Sequence, residues 1–303
     1  MVPEIREGWN GTRRRRKRGR YGRRRRTPAV LLAAAAVVLI IAAVTAAAVR
    51  SRSAGADEIV TEGEKTDPDT TPILGGAQLT MLANQTEGQM MSFLLETAGG
   101  QLIVVDGGRW EDGEHLFNMI REKGGRVSAW FLTHGHTDHV GALLNLLQTE
   151  ASGTDTGIEV DHFYYNFADI EWYKVHELGD LGTIGDLLGA LDGVPEEKRT
   201  TVKRGDVIAV DDVTVTVMND RYEPGPDQVG ERDGNDASMA YRMVVNGVSI
   251  LFLGDLQQLG GDHLLAQAGD SLKSDMVQMS HHGQHGVSEE VYRAISPEIT
   301  LWP

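Results

Sequence analysis

Within the run Thr133-His134-Gly135-His136-Thr137-Asp138-His139, three imidazoles and a carboxylate fall inside six residues. These are borderline-to-hard ligands, suited to zinc, manganese or iron. His134 and His136 are two apart, so in extended backbone they point the same way. Asp138 and His139 stand where a helix should begin, which gives Asp138 two uses: capping that helix or binding metal. Two further junctions repeat the theme. The apolar run 251–253 ends in Gly254-Asp255, and 277–279 delivers His281 and His282 to a loop containing Gly283. Neighbours in a strand face opposite sides, so only one of these two His is expected to share a given metal. Each junction alone is also compatible with a plain polar turn. Their agreement favours a metal site. The absence of Cys excludes thiolate zinc sites, iron–sulfur sites and a cysteine nucleophile.

Such junctions need buried strands behind them. Runs 78–83, 90–97 and 101–105 read as an antiparallel meander closed by Asp106-Gly107-Gly108. A helix is expected over 113–122, a strand over 127–132, a helix over 140–147 and a strand over 158–166. One amphipathic helix weakened by glycines is expected over 177–191. Two hairpins follow, 207–210 with 213–218 and 239–245 with 248–253, the second turning on Asn246-Gly247. Helix 261–268, strand 275–279 and helix 289–295 complete the pattern. The fold class is therefore α/β (α+β), with two mostly antiparallel or mixed sheets packed together and helices outside.

The charge is unevenly divided. The chain of 303 residues is 41% hydrophobic with a net charge of −15, which excludes a wholly disordered or collagen-like protein. Residues 1–52 hold 14 of the 29 basic residues and only Glu4 and Glu7, leaving 15 basic and 42 acidic residues elsewhere, a net of −27. That acidic remainder opposes a broad nucleic-acid-binding face. Residues 29–49 carry no charge, and as a helix they would span about 30 Å, a bilayer core. The Arg cluster before them predicts a cytoplasmic N-terminus and an extracellular body. The expected organisation is a basic arm (1–28), a single-pass membrane anchor (29–49), a polar linker (50–76) and a folded domain (77–303) that carries the three junctions. The alternative is a secreted body released at a signal-peptide site, since Ala54-Gly55-Ala56 precedes Asp57. The chain stops at Leu301-Trp302-Pro303 as a strand begins, so a further closing segment is expected.

The run 133–141 resembles the HxHxDH signature of the metallo-β-lactamase fold hydrolases. Val105-Asp106-Gly107-Gly108, Gly254-Asp255 and His281-His282 resemble that family's other motifs. The order Gly234-Asn235-Asp236-Ala237-Ser238, then 252–255, then 280–283, looks like its competence-protein and phosphorylcholine-esterase branch. The resemblance implies an αββα sandwich and two divalent ions, zinc first and manganese second. His134 and His136 would hold one ion. Asp138, His139 and His282 would hold the other, with Asp255 between them and Asp106 orienting the histidine loop. Many family members complete the first ion with another His, and here His162, His176 and His263 are the remaining candidates, none in a convincing motif.

Such a pair of ions lowers the pKa of a shared water, so the expected activity is hydrolysis, foremost of phosphodiesters. Asp138 and His281 are the expected catalytic side chains, with Asn235 and Ser238 donating to substrate. A small or cell-envelope-linked substrate fits an exported domain. A nuclease acting on DNA, a lactamase or thioester hydrolase, and a non-catalytic metal-containing surface module are the rival readings.

Overall fold

The computed structural model describes residues 73–177, 179–224 and 234–303. The expected arm and membrane anchor, and most of the linker, lie outside the described residues. Among the described residues no helix is long and apolar enough to cross a membrane.

The strands β1 (Ile73–Leu74), β2 (Ala77–Met81), β3 (Phe93–Glu96) and β4 (Leu102–Val105) form an antiparallel meander, as expected from three apolar runs with turn residues between them. Among the described residues, strand pairing begins at Ile73. Helix α1 (Gly113–Glu122) has the expected bounds. The single strand expected over 127–132 is instead two: β5 (Arg126–Val127) and β6 (Ala129–Phe131). Only β6 joins the sheet, parallel to β4. β5 pairs with β7 (Glu159–Val160) in a separate two-stranded ribbon. Periodicity could not reveal this break, because Val127 at the end of β5 and all three residues of β6 are apolar and buried.

Helix α2 (Thr137–Ala151) begins three residues before the expected start at 140. Strand β8 (Phe163–Tyr165) lies parallel to β6, and β9 (Arg199–Thr201) parallel to β8. Between them are two helices, α3 (Ile170–His176) and α4 (Leu181–Asp192), where one was expected over 177–191. The second sheet runs β10 (Val207–Val210), β11 (Val213–Val217), β12 (Tyr241–Val245), β13 (Val248–Phe252), β14 (Met276–Gln278), β15 (Ile299–Leu301). Its first four strands are antiparallel and its last three parallel. Helices α5 (Gln258–Ala268) and α6 (Glu289–Ile295) form its crossovers.

The first sheet thus has three antiparallel and three parallel pairings and the second three and two, so both are mixed. The alternation Val-Thr-Val-Thr-Val in β11 buries Val213, Val215 and Val217 and turns Thr214 outward, as a two-residue period demands. Between the sheets, Phe93 meets Phe252 edge-on at 5.1 Å and Phe131 meets Tyr241 at 5.2 Å. The Tyr241 hydroxyl donates to the Leu132 carbonyl at 2.8 Å, tying the second sheet to the strand that feeds the histidine loop. Trp130, Leu143 and Leu187 belong to the core under α1, α2 and α4, and Leu251, Leu264 and Val291 to the core under α5 and α6. Full burial of such side chains stabilises by about 1.5–3 kcal/mol each. The result is a helix–sheet–sheet–helix sandwich.

The two sheets share a plan that decides where chemistry collects. In each, the last antiparallel strand lies beside the first parallel one: β4 beside β6, β13 beside β14. The loops after all four strands therefore leave at carboxyl ends of parallel neighbours, the usual place for a site in such sheets. Asp106, the 133–139 loop, Asp255 and His281-His282 are the residues delivered there.

Candidate metal centre

Asp106 follows β4 with φ +57°, a left-handed conformation unusual for a residue other than Gly or Asn. Its backbone N–H still donates to the Phe131 carbonyl at 2.9 Å. The turn aims its carboxylate beneath the histidine loop. There it accepts from Thr133 N–H (2.8 Å), from the Thr133 hydroxyl (2.7 Å) and from His139 Nδ1 (2.8 Å). Asp106 therefore pins the loop at its start and again at the first helical turn, and with Nδ1 donating, the Nε2 face of His139 is left to act as a ligand. Burial pushes the Asp106 carboxyl up, while His139 and Thr133 pull it down; burial wins.

The early start of α2 places Asp138 and His139 in its first turn, with His136 at the N-cap. An acidic residue there is favoured by the helix dipole. The helix can sit so close because residue 141 is Gly. A Cβ at that position would lie 2.5 Å from the Trp110 backbone nitrogen.

The expected residues converge. His139 Nε2 is 3.2 Å from Asp255 Oδ1, His134 Nε2 is 4.0 Å from Asp255 Oδ2, and His282 Nε2 lies 3.5 Å from Asp255 Oδ2 and 3.6 Å from Asp138 Oδ2. His134 with His139 and Asp255, and Asp138 with His139 and His282, each present ligand atoms within 4.8 Å of one another. His134, His139, Asp255 and His282 are at most 4% exposed. Yet His134 Nε2, His139 Nε2, Asp255 Oδ1 and both ring nitrogens of His282 have no hydrogen-bond partner among the described residues. Unpaired buried polar atoms cost about 1–3 kcal/mol each. A facing set of imidazole and carboxylate atoms is the donor set that divalent cations satisfy, so the residues fit the implied metals.

The charges interlock. Burial pushes His139 down, but Asp255 and Asp106 on its two sides outweigh it and hold the imidazole well above its usual range. Burial raises Asp255, but His139, His282 and His134 around it hold it well below the carboxylate range. Burial and the neighbouring His139 and His136 keep His134 well below.

The last histidines reach the site by a route that strand alternation misses. Ser280–Gly283 is a tight, non-helical turn, with His281 and His282 both at φ +51°. In this left-handed stretch the two rings do not fall on opposite faces. His281 Nε2 also comes within 4.0 Å of Asp255 Oδ2, beside Asn235 Nδ2 (3.4 Å) and Gln257 Nε2 (3.3 Å from Nδ1). Its side chain is 24% exposed, at the mouth of the centre. Burial lowers its pKa. Asn235 is buried, and its Oδ1 has no partner among the described residues. Ser238 differs from its expected role. It is fully buried, and its hydroxyl accepts from the Asp255 backbone N–H at 3.2 Å, so it positions Asp255 rather than meeting substrate.

None of the three spare histidines enters the centre. His162 Nε2 pairs with the Thr200 hydroxyl at 2.7 Å, His176 packs on Trp172, and His263 packs on Tyr222. Residues outside the motifs do enter. His136 Nε2 turns to Glu177 Oε2 at 3.0 Å, and His136, Glu177 and Asp180 form a third metal-competent group. Glu177 and Asp180 lie in the break between α3 and α4, where one helix was expected. Gly179 together with Asp180, immediately before an apolar helical run, is the sequence signal for that break. Arg109 NH2 is 3.8 Å from Asp138 Oδ2, which puts a cation at the rim.

A two-sheet sandwich with imidazole and carboxylate groups gathered at one loop edge defines a metal-binding scaffold. The model of the metallo-beta-lactamase superfamily matches residues 86–297, and the chain belongs to that superfamily. Among curated proteins, "Competence protein ComA" of Neisseria gonorrhoeae is 34% identical over 70 residues, 23% of this chain. The match spans 10% of that relative's length. Among solved structures, the metallo-beta-lactamase fold protein YhfI from Bacillus subtilis is 10% identical with a TM-score of 0.44, covering 75% of this chain and 88% of that one. A Cronobacter sakazakii metallo-β-lactamase with a HARLDQ motif is 15% identical with a TM-score of 0.40, covering 69% and 76%.

Proposed function

We propose that this chain is an exported, membrane-anchored, metal-dependent hydrolase whose substrates are phosphodiesters. The observation that carries the hydrolytic reading is the set of buried, unpartnered imidazole and carboxylate atoms facing one another across Asp255. Two divalent cations, zinc or manganese, would supply Lewis acidity toward a phosphoryl oxygen and an activated water near neutral pH. Asp138, His139 and His282 would hold one, with His134 and Asp255 beside them. Asp255, fixed by Ser238, faces both groups. His281 and Arg109 stand at the rim. Their N–H groups can hold anionic phosphoryl oxygens there without belonging to the inner set. A phosphodiester is favoured over a lactam because this rim offers a guanidinium, an imidazole and an amide as donors to phosphoryl oxygens, from Arg109, His281 and Asn235. The Arg-rich arm and the apolar 29–49 support an anchor with an external catalytic domain and a small or envelope-linked substrate.

A second reading, cleavage of DNA by the same centre, is favoured by the 70-residue similarity to a competence protein. The net −27 outside the basic arm opposes it. The test is metal analysis of the full-length chain, followed by assays on bis-p-nitrophenyl phosphate, DNA, a β-lactam and a thioester with and without chelator. Chelator-sensitive turnover of the phosphodiester supports the proposal. Turnover of the lactam or thioester alone refutes the substrate class. Bound metal with no turnover of any substrate points to the surface-module reading.

A further inference from the structure

His136 does not share its ring nitrogen with the group around Asp255. Its Nε2 lies 3.0 Å from Glu177 Oε2, and His136, Glu177 and Asp180 present ligand atoms within 4.8 Å of one another. Glu177 is 2% exposed. Its other oxygen accepts from Gly179 N–H at 3.0 Å, which fixes the carboxylate's direction. Asp180 accepts from the Thr137 hydroxyl, one residue after His136, and Thr137 also meets the Thr183 hydroxyl at 3.0 Å. The α3–α4 break is thereby fastened to the first turn of α2. Gly234 closes the other side, since a Cβ there would lie 2.8 Å from His136 Nε2 and 2.9 Å from Glu177 Oε2. The ring of His134, whose Nε2 is buried and unpartnered, lies 4.6 Å from that of His136.

We infer that the first metal of this centre is held by His136 with the carboxylates of Glu177 and Asp180, in place of a cluster of imidazoles. This rests on the hydrolase reading and deepens it. Two carboxylates and one imidazole form a harder donor set than the imidazole-rich group of His139 and His282. The two positions therefore differ in preference: the first takes manganese readily, while the second accepts zinc or manganese. The glycine at 234 is part of the device, because any side chain there would displace the pair that binds.

The experiment is manganese titration of the metal-free, full-length chain, read by equilibrium stoichiometry and electron paramagnetic resonance, on wild type, Glu177→Gln, Asp180→Asn and His282→Ala. Wild type is expected to bind two Mn2+. Glu177→Gln keeps the side chain's shape and is expected to bind one Mn2+, with the signal of the lost ion gone. Its remaining ion serves as the folding control. Asp180→Asn should weaken the same ion at least tenfold. His282→Ala should instead lose the other ion and keep the one at Glu177. Two ions bound as tightly as in wild type in Glu177→Gln overturn the assignment and leave the hydrolase reading intact. One ion in wild type, unchanged by Glu177→Gln, also overturns it. No bound ion in wild type defeats the hydrolase reading itself and this inference with it.

Discussion

Replacing Asp106 with Asn should separate the fold from the metal site. The carboxylate accepts three hydrogen bonds in a fully buried position: Thr133 N–H, Thr133 O–H and His139 Nδ1–H. In Asp106→Asn one oxygen becomes an NH2 group of nearly the same shape. If the amide points at His139, Nδ1 must accept, and the ring proton moves to Nε2, the nitrogen that faces Asp255. If it points at Thr133 N–H, two donors meet. The second orientation leaves a mismatched buried pair, which costs about 1–3 kcal/mol in the metal-free chain; the first avoids it only through the tautomer change, which puts a proton on the nitrogen a metal would need. Asp106→Ala leaves the two fixed donors, Thr133 N–H and His139 Nδ1–H, without an acceptor. Its cost is about 2–6 kcal/mol, because the Thr133 hydroxyl can turn to His134 Nδ1 at 3.1 Å. Metal affinity should fall further than stability, by about 10–100-fold for Asp106→Asn, since the ligand tautomer is wrong. The assays are urea unfolding in the presence of chelator and metal competition against a chromophoric chelator. An Asp106→Asn chain that binds metal as wild type does would refute the argument that this carboxylate sets the tautomer of His139.

Other consequences follow from the same geometry. His281→Ala should lower turnover of bis-p-nitrophenyl phosphate while leaving metal per chain unchanged; loss of an ion would instead place His281 among the ligands. Gly141→Ala should cost about 1–3 kcal/mol in a urea melt, since its Cβ would sit 2.5 Å from the Trp110 nitrogen and α2 must shift; an unchanged melt would show that the close approach is not required. Burial pushes the Tyr173 phenol up to about 12. Between pH 10 and 12 the unfolded chain therefore releases this proton while the folded chain keeps it, and stability falls as pH rises, by about 1.4 kcal/mol per unit at most. Tyr173→Phe should remove that share of the alkaline slope; equal slopes in the two proteins would contradict it.

How far the sequence was legible depends on how local each signal is. The 133–139 loop, Gly254-Asp255 and the 281–282 pair could be found because each sits directly after an apolar run, and strand ends are readable from pattern. The meander, α1 and the two hairpins followed from the same periodicity. Where pattern failed, tertiary structure had the deciding role. The 127–132 run reads as one strand but divides between two sheets at Ser128. His281 and His282 obey no strand alternation because their backbone is left-handed. Glu177 was hidden because residues 177–191 keep a helical spacing, and a carboxylate 41 residues from His136 has no local mark of its partner. Ser238 looked like a substrate donor from its place in a motif, yet complete burial gives it a backbone to hold.

The central claim is that these buried groups converge on divalent cations. Crystals of the full-length protein grown with manganese, measured on both sides of the manganese edge, test it most directly. The account predicts two anomalous peaks, one ringed by Asp138, His139 and His282, the other beside His136 and Glu177. An ordered centre with no peak, its imidazoles hydrogen-bonded to Asp255 and Glu177 instead, would contradict it.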